Sequence, residues 1–196
     1  MLKKYIKIQT NILQKKCYKS KPILQEKNIH MEVIDIRDNF LPEDVFNPLF
    51  DLLSSWNFPW YFNDFVVDEN SSLDNYQFTH TFINSSRDIV NTPLYSFISP
   101  IIEKLNVKNL ERVKANLNTR TSNHIEGGYH VDTDNNNTTS ILYMNTNNGW
   151  TEFKGGGKID CVQNRIVTFN SNMMHTGYTC TDQKRKMVIN FNYGTN

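Results

Sequence analysis

Between residues 111 and 193 the chain breaks into short apolar–polar alternations separated by Gly, Asn, Asp and Ser. This punctuation limits the fold more than any other feature. The segments are ERVKANLN (111–118), GGYHVDTD (127–134), TTSILYMNT (138–146), WTEFKGG (150–156), KIDCVQ (158–163), RIVTFNS (165–171), HTGYTCT (175–181) and KMVINFNY (186–193). Each is long enough for a strand and too short for a helix, and the turn residues between them favour antiparallel neighbours. Eight strands that follow a helical start predict a mainly β protein: a double-stranded β-helix, or jelly roll, with flanking N-terminal helices.

The helical start lies before residue 108. MEVIDIRDNF (31–40) alternates as a strand does, and LPEDVFNPLFDLLSSW (41–56) has Pro42 and acids in its first turn with apolar residues at helical spacing. Pro48 is expected to interrupt this helix. YQFTHTFIN (76–84) reads as a strand, and PLYSFISPIIEKL (93–105) as a second helix disturbed by Pro100. Between them FPWYFNDFVV (58–67) is aromatic and irregular, and is expected either beneath the helices or at a substrate entrance. The 196 residues suffice for one cored domain.

Charge divides the chain unevenly. Residues 1–30 carry eight lysines against one acid, Glu26, whereas residues 31–196 carry 13 basic and 19 acidic residues. A basic, flexible extension over 1–30 and a double-stranded β-helix domain over 31–196 are therefore expected. The extension reads as a solvated tail, as a basic arm for nucleic acid, or as a segment upstream of a natural start at Met31. Without a run of 18 apolar residues or a secretory-type leader, the expectation is a soluble, cytoplasmic protein with no membrane partner. Cys17, Cys161 and Cys180 are odd in number and form no CxxC pair, so they are expected as reduced thiols.

GYHVDTD (128–134) carries the chemistry. Residues two apart on a strand share a face about 7 Å apart at Cα, so His130 and Asp132 are expected to converge while Val131 points away. One more histidine completes a facial triad that leaves adjacent positions open on a metal, and His175, 45 residues on, supplies it. On spacing alone, a hydrogen bond from His130 to Asp132 or Asp134 at a turn, with His175 capping a strand, explains the motif better than a metal site does. His80 lies in an alternating strand and His124 in a turn, and both read as structural or surface residues. Gly155, Gly156 and Gly157 read as a turn, since no GK[ST] or helix follows.

The surroundings of the motif carry a resemblance. GGYHVDTD resembles the HxD segment of Fe(II)- and 2-oxoglutarate-dependent oxygenases. TSILYMNTNNGWTEFKGG (139–156) resembles the following strand pair of their prolyl-4-hydroxylase-like branch, and NRIVTFNSNMMHTGYTCTDQKRKMVINFNY (164–193) its closing segment. The likeness covers residues 110–194 and extends, through DNFLPEDVF (38–46) and FPWYFNDF (58–65), to small bacteriophage-encoded members, which would place the protein in an infected host cell.

The resemblance implies that His130, Asp132 and His175 ligate Fe(II), with 2-oxoglutarate and O2 as cosubstrates and ascorbate as an accessory reductant. It implies that the Tyr143 hydroxyl helps to hold the distal carboxylate of 2-oxoglutarate, beside one inward cation from QKRKMVINFNY (183–193). Strand alternation puts Arg185 with Met187, Ile189, Phe191 and Tyr193, a set suited to packing on helices, and Lys186 with Val188, Asn190 and Asn192. Lys186 is therefore favoured over Arg185, although counting from His175 also admits Lys184. Where the family often has a Tyr before HxD this chain has Asn118. The implied activity is hydroxylation of a peptidyl or amino-acid side chain with release of succinate and carbon dioxide. A catalytically silent jelly-roll binding module is the alternative of another class. Oxidative nucleic-acid demethylation is the alternative within the superfamily, and the absence of its Arg-x5-Arg pair weighs against it: Phe191 stands six positions after Arg185 and Asn192 six after Lys186.

Overall fold

The computed structural model describes residues 4–8, 32–69, 73–87, 89–90, 92–133 and 137–194. Strands run over Lys4–Ile8 (β1), Glu32–Arg37 (β2), Tyr61–Asn63 (β3), Gln77–Asn84 (β4), Ile89–Val90 (β5) and Asn109–Thr119 (β6). They continue over Thr138–Tyr143 (β7), Trp150–Phe153 (β8), Lys158–Asp160 (β9), Arg165–Asn170 (β10), His175–Gly177 (β11) and Arg185–Gly194 (β12). The helices are Glu43–Ser54 (α1) and Tyr95–Lys104 (α2). The large sheet has the order β1-β2-β10-β7-β12-β6-β4-β3, with β5 on β4, and the small one the order β11-β8-β9. Every strand pairing among the described residues is antiparallel. The double-sheet jelly roll expected from the strand punctuation is the observed fold.

Period-two alternation sorts the core into two layers. On β7, Leu142 belongs to a cluster shared with Phe46, Leu49 and Leu53 of α1 and Ile98 and Ile101 of α2. Its neighbours Ile141 and Tyr143 face the opposite way, into a cluster with Phe153 of β8, Ile159 of β9 and Val167 and Phe169 of β10. The large sheet thus has helices on one face and the small sheet on the other, which requires apolar residues at both parities. Met187, Ile189, Phe191 and Tyr193 of β12 all join the helix-side cluster, as their alternation predicts.

Both prolines lie inside continuous helices and do not break them. In α1 the acids Glu43 and Asp44 occupy the first turn, where they suit the helix dipole, and Phe46, Leu49 and Leu53 bury one stripe. Packing of that stripe outweighs the one backbone bond that Pro48 cannot donate. In the aromatic segment, Phe58 is buried and Trp60 packs against the helix-side cluster with its indole N–H donated to the Leu53 carbonyl, at 3.2 Å. Tyr61 and Phe62 are exposed, and Val66 and Val67 line the cavity described below. The segment therefore divides between the helix-side core, the surface and the wall of that cavity.

Residues 127–133, the described part of the expected strand over 127–134, form no regular strand and carry isolated bridges instead, Glu126–Tyr178 beside the segment and His130–His175 within it. Gly128 adopts φ 101°, a conformation closed to L side chains, and this kink prevents a continuous ladder. At the N-terminus, Lys4–Ile8 pairs with β2 as an edge strand, from Lys4 opposite Ile36 to Ile8 opposite Glu32. The remainder of the basic extension, with Cys17, falls outside the described residues. Cys161 and Cys180 are free and buried. No helix among the described residues is long and apolar enough to cross a membrane.

Candidate metal centre

The two histidines meet because their backbones do. His130 N–H donates to the His175 carbonyl and His175 N–H donates to the His130 carbonyl, both at 2.9 Å, so the residues are directly opposed despite the missing ladder. Gly127 N–H to the Gly177 carbonyl (2.9 Å) and Asp132 N–H to the Ser171 carbonyl (3.0 Å) hold the segment on either side. Gly127 is closely packed here: an added Cβ would stand 3.1 Å from both the Gly177 oxygen and Val66 Cγ1, so those neighbours would have to give way by a few tenths of an ångström.

Side-chain geometry then aims the donor atoms. His130 Nδ1 lies 3.1 Å from the Gly128 carbonyl, and His175 Nδ1 lies 2.9 Å from the Met173 carbonyl. A carbonyl only accepts, so each Nδ1 carries the proton and each Nε2 presents a lone pair. These lone pairs face Asp132: His130 Nε2 is 4.0 Å from Oδ1 and His175 Nε2 is 3.9 Å from Oδ2. One ligand atom from each residue lies within 4.8 Å of the others. Two imidazole nitrogens and a carboxylate at this spacing are a donor set that fits a single divalent transition metal with positions left open.

The carboxylate is fixed from outside the triad. Arg112 Nη2 donates to Asp132 Oδ1 at 3.2 Å and the Thr139 hydroxyl donates to Oδ2 at 2.7 Å. Asn192 braces both, donating its amide to Thr139 Oγ1 (3.0 Å) and accepting from Arg112 Nε (2.9 Å). Burial of Asp132 works against its charge. The neighbouring His175, the Thr139 hydroxyl, Arg112 and His130 outweigh that and hold the carboxyl below its ordinary range. Burial likewise holds His175 below the ordinary imidazole value, against the pull of Asp132. Both shifts favour the protonation states in which carboxylate and imidazole bind metal.

The triad opens into a cavity of about 310 Å³ that also receives Lys186, Asn118, Thr151 and Val188. Lys186 is 4% exposed, with Nζ donating to the carbonyls of Trp150 (3.0 Å) and Tyr178 (2.8 Å). Asn118 is its direct cross-strand partner. Arg185 lies elsewhere, in a separate depression with Lys184 and Phe50, and its carbonyl accepts from the Asn145 amide. Tyr143 is fully buried behind Thr151, to whose Oγ1 it donates at 2.7 Å, and it is not among the cavity-lining residues. Burial pushes its phenol well above the ordinary value. The structure therefore gathers His130, Asp132, His175 and Lys186, and leaves Tyr143 and Arg185 outside.

The other described histidines are structural. His80 is buried between Phe58 and Phe82, with Nδ1 at 3.0 Å from the Pro59 carbonyl. His124 contacts the Thr179 carbonyl at 2.7 Å and packs on Trp150. Sequence reasoning missed Arg112, Thr139 and Lys114. The polar positions 112, 114, 116 and 118 alternate with apolar ones along β6, a signal for a polar inward face. Burial and the adjacent Arg112 pull the Lys114 amine down to about 8, with Asp132 opposing.

No protein-family model and no curated protein matches the sequence. Among solved structures, the chain is similar to a prolyl hydroxylase in complex with a hypoxia inducible factor oxygen degradation domain peptide fragment from Trichoplax adhaerens. That match has a TM-score of 0.56 and 15% identity, over 83% of each chain. A prolyl-4-hydroxylase from Pseudomonas putida matches with a TM-score of 0.54 and 13% identity, over 82% of this chain and 92% of that one. A 2OG-Fe(II) oxygenase family oxidoreductase from Burkholderia pseudomallei matches with a TM-score of 0.56 and 9% identity, over 83% and 85% respectively. At these identities the likeness is one of fold: the chain has the jelly-roll architecture found in 2-oxoglutarate oxygenases.

Proposed function

We propose that the protein is an Fe(II)- and 2-oxoglutarate-dependent dioxygenase that hydroxylates a peptidyl or amino-acid side chain and releases succinate and carbon dioxide. The observation that carries this reading is the convergence of two lone-pair-presenting imidazoles and a braced carboxylate within 4.8 Å, in a cavity that also holds a buried lysine. His130, Asp132 and His175 would hold the iron. Bound iron supplies activation of O2, coupled to oxidative decarboxylation of 2-oxoglutarate.

The chain's own residues prepare the site for this. The Gly128 and Met173 carbonyls fix the two histidine tautomers, and Arg112 and Thr139 fix the carboxylate rotamer, so ligand orientation is set before metal arrives. Lys186 retains one N–H beyond the two given to backbone carbonyls and would pair with the distal carboxylate of 2-oxoglutarate. Asn118 stands beside it where the related enzymes often carry a tyrosine, and offers an amide in place of the phenol. Val66, Val67, Ile141 and Val188 supply apolar lining that limits water at the reacting carbon.

The test is succinate release from 2-oxoglutarate with Fe(II), O2 and ascorbate, screened over amino acids, peptides and nucleotides. His130→Ala, Asp132→Ala and His175→Ala are each expected to abolish it and to weaken Mn(II) binding. Metal bound as tightly by the His130→Ala/His175→Ala double variant removes the assignment. Metal binding without any 2-oxoglutarate turnover would favour a silent binding module.

A further inference from the structure

The cavity holds more positive charge than the proposed chemistry uses. Arg112, Lys114 and Lys186 line it against one carboxylate, Asp132. Lys186 is committed to two carbonyls and, in the proposed function, to 2-oxoglutarate, and Arg112 to Asp132 and Asn192. Lys114 makes no hydrogen bond or ion pair to any described residue, although Asp132 attracts it and Arg112 repels it from a distance. Its surroundings are unsatisfied in the complementary sense. The amide oxygen of Asn190, its cross-strand partner, and that of Asn116, two residues along the same strand, are both buried and accept nothing.

This inference rests on the reading that the triad holds a divalent metal. A dication on Asp132 cancels the one negative charge that attracts Lys114. With the metal and three basic side chains on one side, and Asp132 and doubly charged 2-oxoglutarate on the other, five positive charges face three negative ones. A surplus of this kind in a partly dry cavity costs free energy unless a further anion enters. We propose that the primary substrate is a free small acid, whose carboxylate or phosphate sits against Lys114 and whose own N–H or O–H groups meet the Asn116 and Asn190 oxygens, rather than an uncharged residue within a peptide. The amine's position, pulled down by burial and Arg112, accords with a cation awaiting a counter-ion. An uncharged internal peptide residue brings no such anion, whereas a free amino acid brings both a carboxylate and N–H donors.

The test uses the full chain loaded with Mn(II), whose binding is first established by electron paramagnetic resonance, and saturated with 2-oxoglutarate. Inorganic phosphate and 13C-labelled acetate are then titrated separately, and the paramagnetic relaxation of 31P or 13C reports an anion held near the metal; the stronger of the two identifies the anion type. Wild-type protein is expected to give saturable relaxation with at least one of them. Lys114→Gln is expected to weaken it by about tenfold or more, and Lys114→Arg to retain it, with 2-oxoglutarate affinity unchanged in both. Equal relaxation in wild type and Lys114→Gln overturns the proposal, as does no relaxation by either anion in the loaded wild type. A parallel loss of 2-oxoglutarate affinity in Lys114→Gln would reassign the lysine to the cosubstrate. Failure of Mn(II) to bind removes the metal reading itself, a separate outcome read at the first step.

Discussion

Replacing Lys186 by Met separates cosubstrate binding from folding, because the two effects have different sizes. In the free protein the ammonium is buried and bonded to the Trp150 and Tyr178 carbonyls at 3.0 and 2.8 Å. Leaving those carbonyls unpaired costs about 1–3 kcal/mol, but removing a buried cation also relieves its own desolvation. The net loss should stay below about 2 kcal/mol, or a Tm drop of less than about 8 °C for a chain of this size. Binding is affected more. A buried carboxylate deprived of its cationic partner loses about 3–5 kcal/mol, so 2-oxoglutarate affinity should fall roughly a hundredfold or more while Mn(II) still binds. Calorimetric titration of the Mn(II)-loaded protein reads the loss of binding, and thermal melting the loss of stability. Arg185→Met, in a separate depression, should change affinity less than about threefold. The reverse ranking would show that Lys186 does not serve the cosubstrate and that the inward face of β12 has been misassigned.

Arg112→Gln should weaken Mn(II) binding by about 10- to 100-fold, since it releases Asp132 Oδ1 from its 3.2 Å donor; unchanged binding in a metal titration would mean that Thr139 alone orients the carboxylate. His175 is held below the ordinary imidazole value, so below about pH 6.5 the unfolded chain takes up a proton that the folded chain resists, and stability should fall as pH drops from 7 to 5. Denaturant melts of the metal-free protein check this, and His175→Asn should flatten the slope. Metal affinity should fall over the same range, and unchanged binding at about pH 5 would count against histidine ligands. A chain starting at Met31 should keep its fold and turnover, because both core clusters are built from residues 36 onward among the described residues; a Tm loss of more than a few degrees would show that β1 is needed on its edge.

Properties that follow from chain geometry over a few residues were legible in the sequence. Alternation is enforced by the pleat, so Met187, Ile189, Phe191 and Tyr193 could be assigned to the helix side and Lys186 to the cavity before any partner was known. The amphipathic stripe of α1 and the turns between strands rest on the same local rules. The pairing of HxD with a distant histidine was legible as chemistry, but the reason offered for it, a shared strand face, was not the one the fold uses. Only tertiary structure sets the reciprocal backbone bonds between His130 and His175, and the kink at Gly128 replaces the expected strand. Tyr143 has the parity of a cavity residue, yet its hydroxyl is taken by Thr151 from another sheet, a contact no local pattern encodes. Arg112, Thr139 and Asn192 brace Asp132 across as many as 80 positions of sequence, and Lys114 has its counter-charge deficit only because β6 and β12 bring three cations around one carboxylate. Facing follows from covalent geometry, whereas the partner a side chain meets depends on strand order and register, which are set by packing the whole sheet at once.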